Sequence, residues 1–192
     1  MVKSALKFTP DDAGTRISAD DFATADFQAP YIYERVQGRL VVMTPAGPEH
    51  RRISRPFRKA LGGYWERHPE IVEDVDVEGW VATDSDTDRL PDICVYLTGS
   101  AKGQTVPHRV PDLIFEFVSA ERSDQERDYA AKRAEYQRIG VREYVIVDRF
   151  KRSVLALTWE EGDFVERTLE RQSEYTTPLL PGLVVPLGEV FA

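Results

Sequence analysis

The spacing of hydrophobic positions changes period several times along the chain, and each change marks an element. Residues 31–36 and 39–43 read as strands joined by Gln37-Gly38, a two-residue link that suits a hairpin. After TPAGP (44–48) the period becomes helical. Ile53, Phe57, Leu61 and Tyr64 fall on one stripe, and Pro48 suits the first helical position. This predicts a helix from 48 to about 68, weakened late by Gly62-Gly63. His50 lies on the same stripe, one turn before Ile53. Residues 71–83 predict one strand bulged at Gly79, 84–88 a turn, 89–97 a strand and 98–109 a loop.

Residues 110–119, VPDLIFEFVS, have the clearest period of two. Both faces are mostly apolar, which predicts a strand covered on both sides, near the middle of a sheet. Ser123-x-x-Glu126 matches a capping box and predicts a helix running to about Ile139, with Gly140 as its stop. Residues 143–148 read as a second buried strand, and 153–160 with 164–169 as a hairpin split by Gly162-Asp163. The tail ends in LGEVFA, predicted to be a short docked helical turn. Residues 1–30 are polar and read as an arm with a helical turn near 19–25, leaving 31–192 as the domain. The order predicts an α/β (α+β) fold: a mixed sheet flanked by two main helices, with extra β-hairpins.

Composition narrows the function classes. A chain of 192 residues with 42% hydrophobic content supports one domain with a real core. No run approaches a membrane span, and the first residues lack the apolar core and cleavage site of a secretion signal. The single Cys94 excludes an internal disulfide and fits a reducing cytoplasm; within 93–97 it reads as a small buried hydrophobe. The net charge of −8 opposes nucleic-acid binding by the whole surface, but leaves room for a local basic face. Arg51, Arg52, Arg55, Arg58, Lys59 and Arg67 make residues 49–68 such a stretch, although a basic run is ordinarily a solvated helix face. His50, His68 and His108 have no metal-ligand spacing, and neither a GxSxG elbow nor a glycine-rich phosphate loop is present. The acidic run 84–88 lacks the glycine and distal glutamate of a calcium loop.

Glu116 is out of place in a two-sided buried strand. A carboxylate in such a position is ordinarily paired, metal-bound or catalytic. Two Pro-Asp pairs precede it. Asp112 is four residues away on the same strand, about 13 Å at ~3.3 Å per residue, too far to share an ion. Asp92 comes from the preceding strand, and neighbouring strands lie only ~4.8 Å apart, so it can meet Glu116 across the ladder. Two carboxylates so placed repel, and a divalent cation resolves the repulsion. Lys132 shares the stripe Tyr129, Lys132, Tyr136 and Ile139, from which its ammonium can reach over the sheet. The structural alternative lays the lysine stem on the two tyrosines, with its head in water or on Asp128.

Pro91-Asp92, PDLIFEFVS at 111–119, Asp128-x-x-x-Lys132-x-x-x-Tyr136 and GVREYVIVD at 140–148 together resemble the Uma family of restriction endonucleases, within the PD-(D/E)XK nuclease superfamily. The likeness runs from about Tyr31 to the end and includes PEHRRIS (48–54) and TPLLPGLVVPLGEVF (177–191). It implies a restriction-endonuclease-like fold and hydrolysis of phosphodiester bonds. It makes Asp92 and Glu116 the metal-binding acids for Mg2+ or Mn2+. Lys132 resembles a lysine displaced from strand to helix, since the family pattern's own lysine position is Val118 here. His50 resembles a histidine lining the site. Arg51, Arg55, Arg122 and Arg127 become candidate phosphate contacts. The expectation is a metal-dependent nuclease acting on nucleic acid, DNA in the first instance, with a homodimer, or a partner, supplying the affinity that so acidic a monomer lacks. The alternative is a catalytically inactive module of the same fold that serves binding or assembly.

Overall fold

A computed structural model describes residues 5–100, 107–119 and 127–192. The chain opens with β1 (Lys7–Phe8), α1 (Ala19–Thr24) and β2 (Asp26–Phe27), followed by the hairpin β3 (Ile32–Val36) and β4 (Arg39–Met43). Gln37 and Gly38 both have positive φ, 51° and 69°, the geometry that a two-residue turn requires. The long helix α2 (Pro48–Arg67) precedes β5 (Val72–Val77), β6 (Val81–Asp84), β7 (Thr87–Arg89), β8 (Ile93–Leu97) and β9 (Leu113–Phe117). A π-helical turn (Arg127–Ala131) leads into α3 (Lys132–Ile139). The chain finishes with β10 (Glu143–Asp148), β11 (Ser153–Glu160), β12 (Asp163–Glu170), β13 (Glu174–Tyr175), β14 (Val185–Pro186) and α4 (Leu187–Val190).

The main sheet has six strands in the order β12-β11-β10-β9-β8-β5, with β9 and β10 parallel and the other pairs antiparallel. All five residues of β9 are buried, in keeping with a strand flanked on both edges and covered on both faces. Leu113, Phe115 and Phe117 join Ile53, Phe57, Leu61 and Tyr64 of α2 in one core. Ile114 joins Cys94, Tyr96, Tyr136, Tyr144 and Ile146 in a second core on the other face. Glu116 alternates onto that second face and meets α3 there. The stripe on α2 is as the spacing predicts. The helix continues past Pro56 and Gly62-Gly63 to Arg67, because Phe57, Leu61 and Tyr64 hold its buried side against the sheet.

Two expected strands are each broken in two. Residues 71–83 divide at Gly79 into β5 of the main sheet and β6 of a separate four-stranded sheet, β4-β3-β7-β6. Of residues 89–97 only Ile93–Leu97 form a strand of the large sheet, β8. Arg89 closes β7 of the small one, whose Thr87 and Asp88 stand where the sequence predicts a turn over 84–88, and Leu90-Pro91-Asp92 link the two. Pro91 has no N–H to give to a ladder, so the strand ends there and changes sheet. The late hairpin turns on Glu161-Gly162, both at positive φ, one residue earlier than expected. Residues 5–30 carry the expected helical turn as α1, whose Phe22 packs with Ile17, Tyr33 and Leu40 in a third, aromatic-rich core. The capping box at 123–126 lies outside the described residues. Among the described residues no helix is long and apolar enough to cross a membrane.

Candidate active site

The start of β8, the end of β9, the first turn of α2, the loop after β4 and the start of α3 converge on a cavity of about 580 Å³. Asp92, His50, Glu116, Lys132, Glu34, Glu78 and Arg149 contribute charged or titratable groups to its wall. Asp92 stands one residue before β8, just past the Ile93–Phe115 pair that ends the β8–β9 ladder. Its Oδ2 accepts a hydrogen bond from the Phe117 N–H at 2.8 Å, taking the place of a strand carbonyl. Oδ1 lies 3.1 Å from His50 Nε2. The His50 ring is in turn set edge-on to Phe117, with centroids 5.6 Å apart. Burial is the largest influence on His50 and opposes its charged form. The hydrogen bond and charge of Asp92, with help from Glu78 and against Arg149, outweigh it, so the His50 pKa is raised.

Glu116 sits deeper, its side chain 5% exposed. Its Oε1 accepts from Lys132 Nζ at 2.7 Å and from the Tyr136 hydroxyl at 3.0 Å. Lys132 and Tyr136 are one turn apart on α3, so a single helical face delivers both donors. The π-helical turn immediately before Lys132 is a distortion of a kind often found at functional positions. Burial, and then the Glu116 charge, push the Tyr136 pKa well above its ordinary value, so the hydroxyl remains a donor. Each carboxylate therefore has its own helix-borne partner in place: His50 for Asp92, Lys132 for Glu116. Asp112 is at the far end of β9, where it accepts from the Leu97 N–H at 2.8 Å and from Ser100, away from the cavity.

Residues 19–188 match the model of the Uma2 family, described as "Putative restriction endonuclease". The chain belongs to the Uma2 family. None of the curated proteins compared with it matches. A crystal structure of "a putative nuclease belonging to DUF820" from Anabaena variabilis ATCC 29413 superposes with a TM-score of 0.73 at 15% identity, covering 91% of this chain and 97% of that one. That likeness shows a shared fold.

In this Uma2 protein Asp92, Glu116, Lys132 and His50, all singled out from the sequence, line one cavity. Arg51 and Arg55 are exposed on α2 outside its lining, with the Arg51 guanidinium donating to the Ala46 carbonyl. Arg122 lies outside the described residues, and of Arg127 only the backbone is described. Sequence reasoning missed three residues. Tyr136 was assigned to the helical stripe but not to the site, although its spacing of four from Lys132 was the available signal. Glu34, fully buried in β3, accepts from the Leu90 N–H and from Arg89, both at 3.0 Å, and so fixes the linker that carries Asp92. Its signal was the one carboxylate of the strand, between Tyr33 and Arg35. Arg149, at the end of β10, gave no signal beyond its charge.

Among the described residues no three His, Cys, Asp or Glu side chains form a ready-made metal cluster. Two carboxylates from neighbouring strands facing one cavity nevertheless provide hard oxygen donors, the type that suits Mg2+ or Mn2+ better than a soft metal. Such ions keep several waters and need only one or two protein carboxylates, so the donor set fits.

Proposed function

We propose that this protein is a divalent-metal-dependent nuclease that hydrolyses phosphodiester bonds of nucleic acid, DNA in the first instance. The observation that carries the reading is that Asp92, Glu116 and Lys132, from three separate elements, line a single cavity together with His50. Asp92 and Glu116 hold Mg2+ or Mn2+. The ion, when bound, supplies Lewis acidity toward phosphoryl oxygen and water. His50 and the Phe117 N–H fix the Asp92 carboxylate, and Tyr136 fixes that of Glu116. Lys132 holds positive charge where negative charge builds on the phosphoryl group. In the net reaction the oxygen of water bonds to phosphorus and one ester P–O bond breaks. The departing alkoxide takes a proton, leaving a phosphomonoester and a hydroxyl. With a net charge of −8, a second copy of the chain in a homodimer adds contact surface for the duplex.

One observation favours a second reading, a non-catalytic module of the same fold. Glu116 and Lys132 are both nearly sealed and already neutralise each other. The two readings separate in one experiment. Purified protein is incubated with duplex DNA, single-stranded DNA and RNA in millimolar Mg2+ or Mn2+, beside Asp92→Ala. The nuclease reading requires cutting by the wild type, none by a folded Asp92→Ala, and metal binding by calorimetry. A wild type that neither binds metal nor cuts any of the three substrates leaves only the module.

A further inference from the structure

The four-residue link between β10 and β11 reads Arg149-Phe150-Lys151-Arg152, three cations in four positions of an acidic protein. The link is held by Asp148, whose Oδ1 accepts from the Phe150 and Lys151 N–H groups at 2.8 and 3.0 Å. The other oxygen of Asp148 accepts from the Tyr129 hydroxyl and lies 3.6 Å from Lys151 Nζ. Both oxygens are thus engaged, Oδ1 by the turn's own N–H groups and Oδ2 by Tyr129 and the Lys151 side chain. The Arg149 guanidinium carbon stacks over the Phe150 ring at 4.6 Å. Its Nε is buried and has no hydrogen-bond partner among the described residues. A buried guanidinium N–H without an acceptor is costly, and the cost is relieved when the side chain turns toward an oxyanion in the cavities it lines.

Arg149 lines the cavity that contains Asp92 and Glu116, and also an adjoining one of about 260 Å³. Its charge is near enough to His50 to oppose protonation of that ring. The adjoining cavity is walled by Arg52 and Arg152 as well, with Glu49 as its carboxylate side chain. Arg52 is already engaged, with Glu49 at 3.1 Å and the Ala192 carbonyl at 3.0 Å. Cations therefore continue from the metal-site wall across the surface, with Arg149 at the junction.

We infer that Arg149 is the phosphate-docking residue of the site: its guanidinium takes a non-bridging oxygen of the substrate strand, and Arg152 contacts the next phosphate across the second cavity. The inference rests on the nuclease reading and adds to it the direction in which the strand leaves the site. The planar guanidinium suits this task because it can grip two oxygens at once, which a lysine does not.

The test is fluorescence anisotropy with an end-labelled DNA duplex and with the matching single strand, over a series of salt concentrations and with EDTA present so that nothing is cut. Arg149→Gln is expected to weaken duplex binding on the order of tenfold. It is also expected to flatten the dependence of log K on log salt by about 0.9, the value for one lost phosphate contact. Arg152→Gln is expected to flatten the slope similarly. Arg149→Lys keeps the slope and loses part of the affinity, and Arg167→Gln on β12 changes neither. Thermal unfolding of each variant accompanies the binding. A structural Arg149 moves the melting temperature and leaves the slope alone. Wild-type affinity and slope in Arg149→Gln overturn the inference, and the nuclease reading survives if that variant still cuts while Asp92→Ala does not. A wild type that binds neither strand form and cuts nothing defeats both.

Discussion

Lys132→Met is the most informative single change, because it separates what the lysine does for the fold from what it does for chemistry. The ammonium is 2.7 Å from Glu116 Oε1, and both side chains are about 95% buried. Met keeps the length of the stem but withdraws the counter-charge from a carboxylate that stays inside. Breaking a buried pair from one side typically destabilises by about 3–5 kcal/mol. In a domain of this size ~1 kcal/mol shifts the melting temperature by roughly 2–4 °C, so a fall of about 6–20 °C is expected. Glu116→Gln should cost a similar amount by leaving the ammonium inside without its carboxylate. The double variant Lys132→Met with Glu116→Gln removes both charges and should recover most of the loss, since a buried pair replaced as a unit is often close to neutral. Because the single losses of about 3–5 kcal/mol each would otherwise add, a nearly neutral double variant corresponds to a coupling of about 5 kcal/mol or more. Urea unfolding followed by circular dichroism measures all four proteins, and a nuclease assay runs beside it. The expected outcome is a double variant that is stable again and still inactive. A single variant within ~1 kcal/mol of wild type would show that the pair is solvated and contributes little. A double variant that cuts at the wild-type rate would remove Lys132 and Glu116 from the chemistry.

His50 should titrate above the usual value of about 6.5 when followed by its imidazole NMR signal, and Asp92→Asn should bring the midpoint down. Because the folded value is raised, the stability from this pair is fully present below about pH 6.5 and fades as pH rises through the folded pKa; a midpoint at or under 6.5 contradicts this. Tyr136→Phe removes a buried donor to Glu116 and should cost about 1.5–3 kcal/mol in urea unfolding, and a loss below ~0.5 kcal/mol counts against the bond. Gly140, with φ of 87°, ends α3 in the left-handed region, so Gly140→Ala should cost about 1–2 kcal/mol without affecting nucleic-acid binding.

The sequence was most legible where periodicity and burial coincide. The α2 stripe of Ile53, Phe57, Leu61 and Tyr64 and the strand around Phe115 are such places, because a run of large apolar side chains has one way to face a core. Glu116 was visible for the complementary reason, as a charge where the pattern demanded an apolar residue. The small second sheet was hidden. Its strands β6 and β7 are three or four residues long, and it is pinned by charged contacts over long sequence separations. Arg89 reaches Glu34 at 3.0 Å and Glu135 at 2.7 Å, and Arg35 reaches Asp88 at 2.6 Å. Partners more than forty residues apart leave no local period. Arg149 was hidden for a similar reason: its place beside His50 comes from the end of a strand meeting the start of a helix.

The misread strand at 89–97 and the site have one cause. Had Pro91 been a residue with an N–H, the ladder could have run on, and the residue at 92 would have been one more rung. With the ladder stopped, the Asp92 carboxylate supplies the acceptor that the Phe117 N–H would otherwise lack. That bond places the carboxylate at the rim of the sheet, in reach of His50, while Glu116 on the adjacent strand points to the opposite core and is met by Lys132. The two acids thus approach one cavity from different sides of the sheet's end, each met by a side chain from its own helix, His50 for Asp92 and Lys132 for Glu116. A substitution that restores the ladder at 91, such as Pro91→Val, is therefore expected to draw Asp92 into strand register and weaken its contact with His50. The His50 titration would then move back toward about 6.5, the value for an imidazole without a carboxylate partner. A raised midpoint that persists in Pro91→Val would show that the break in the strand is not what positions Asp92.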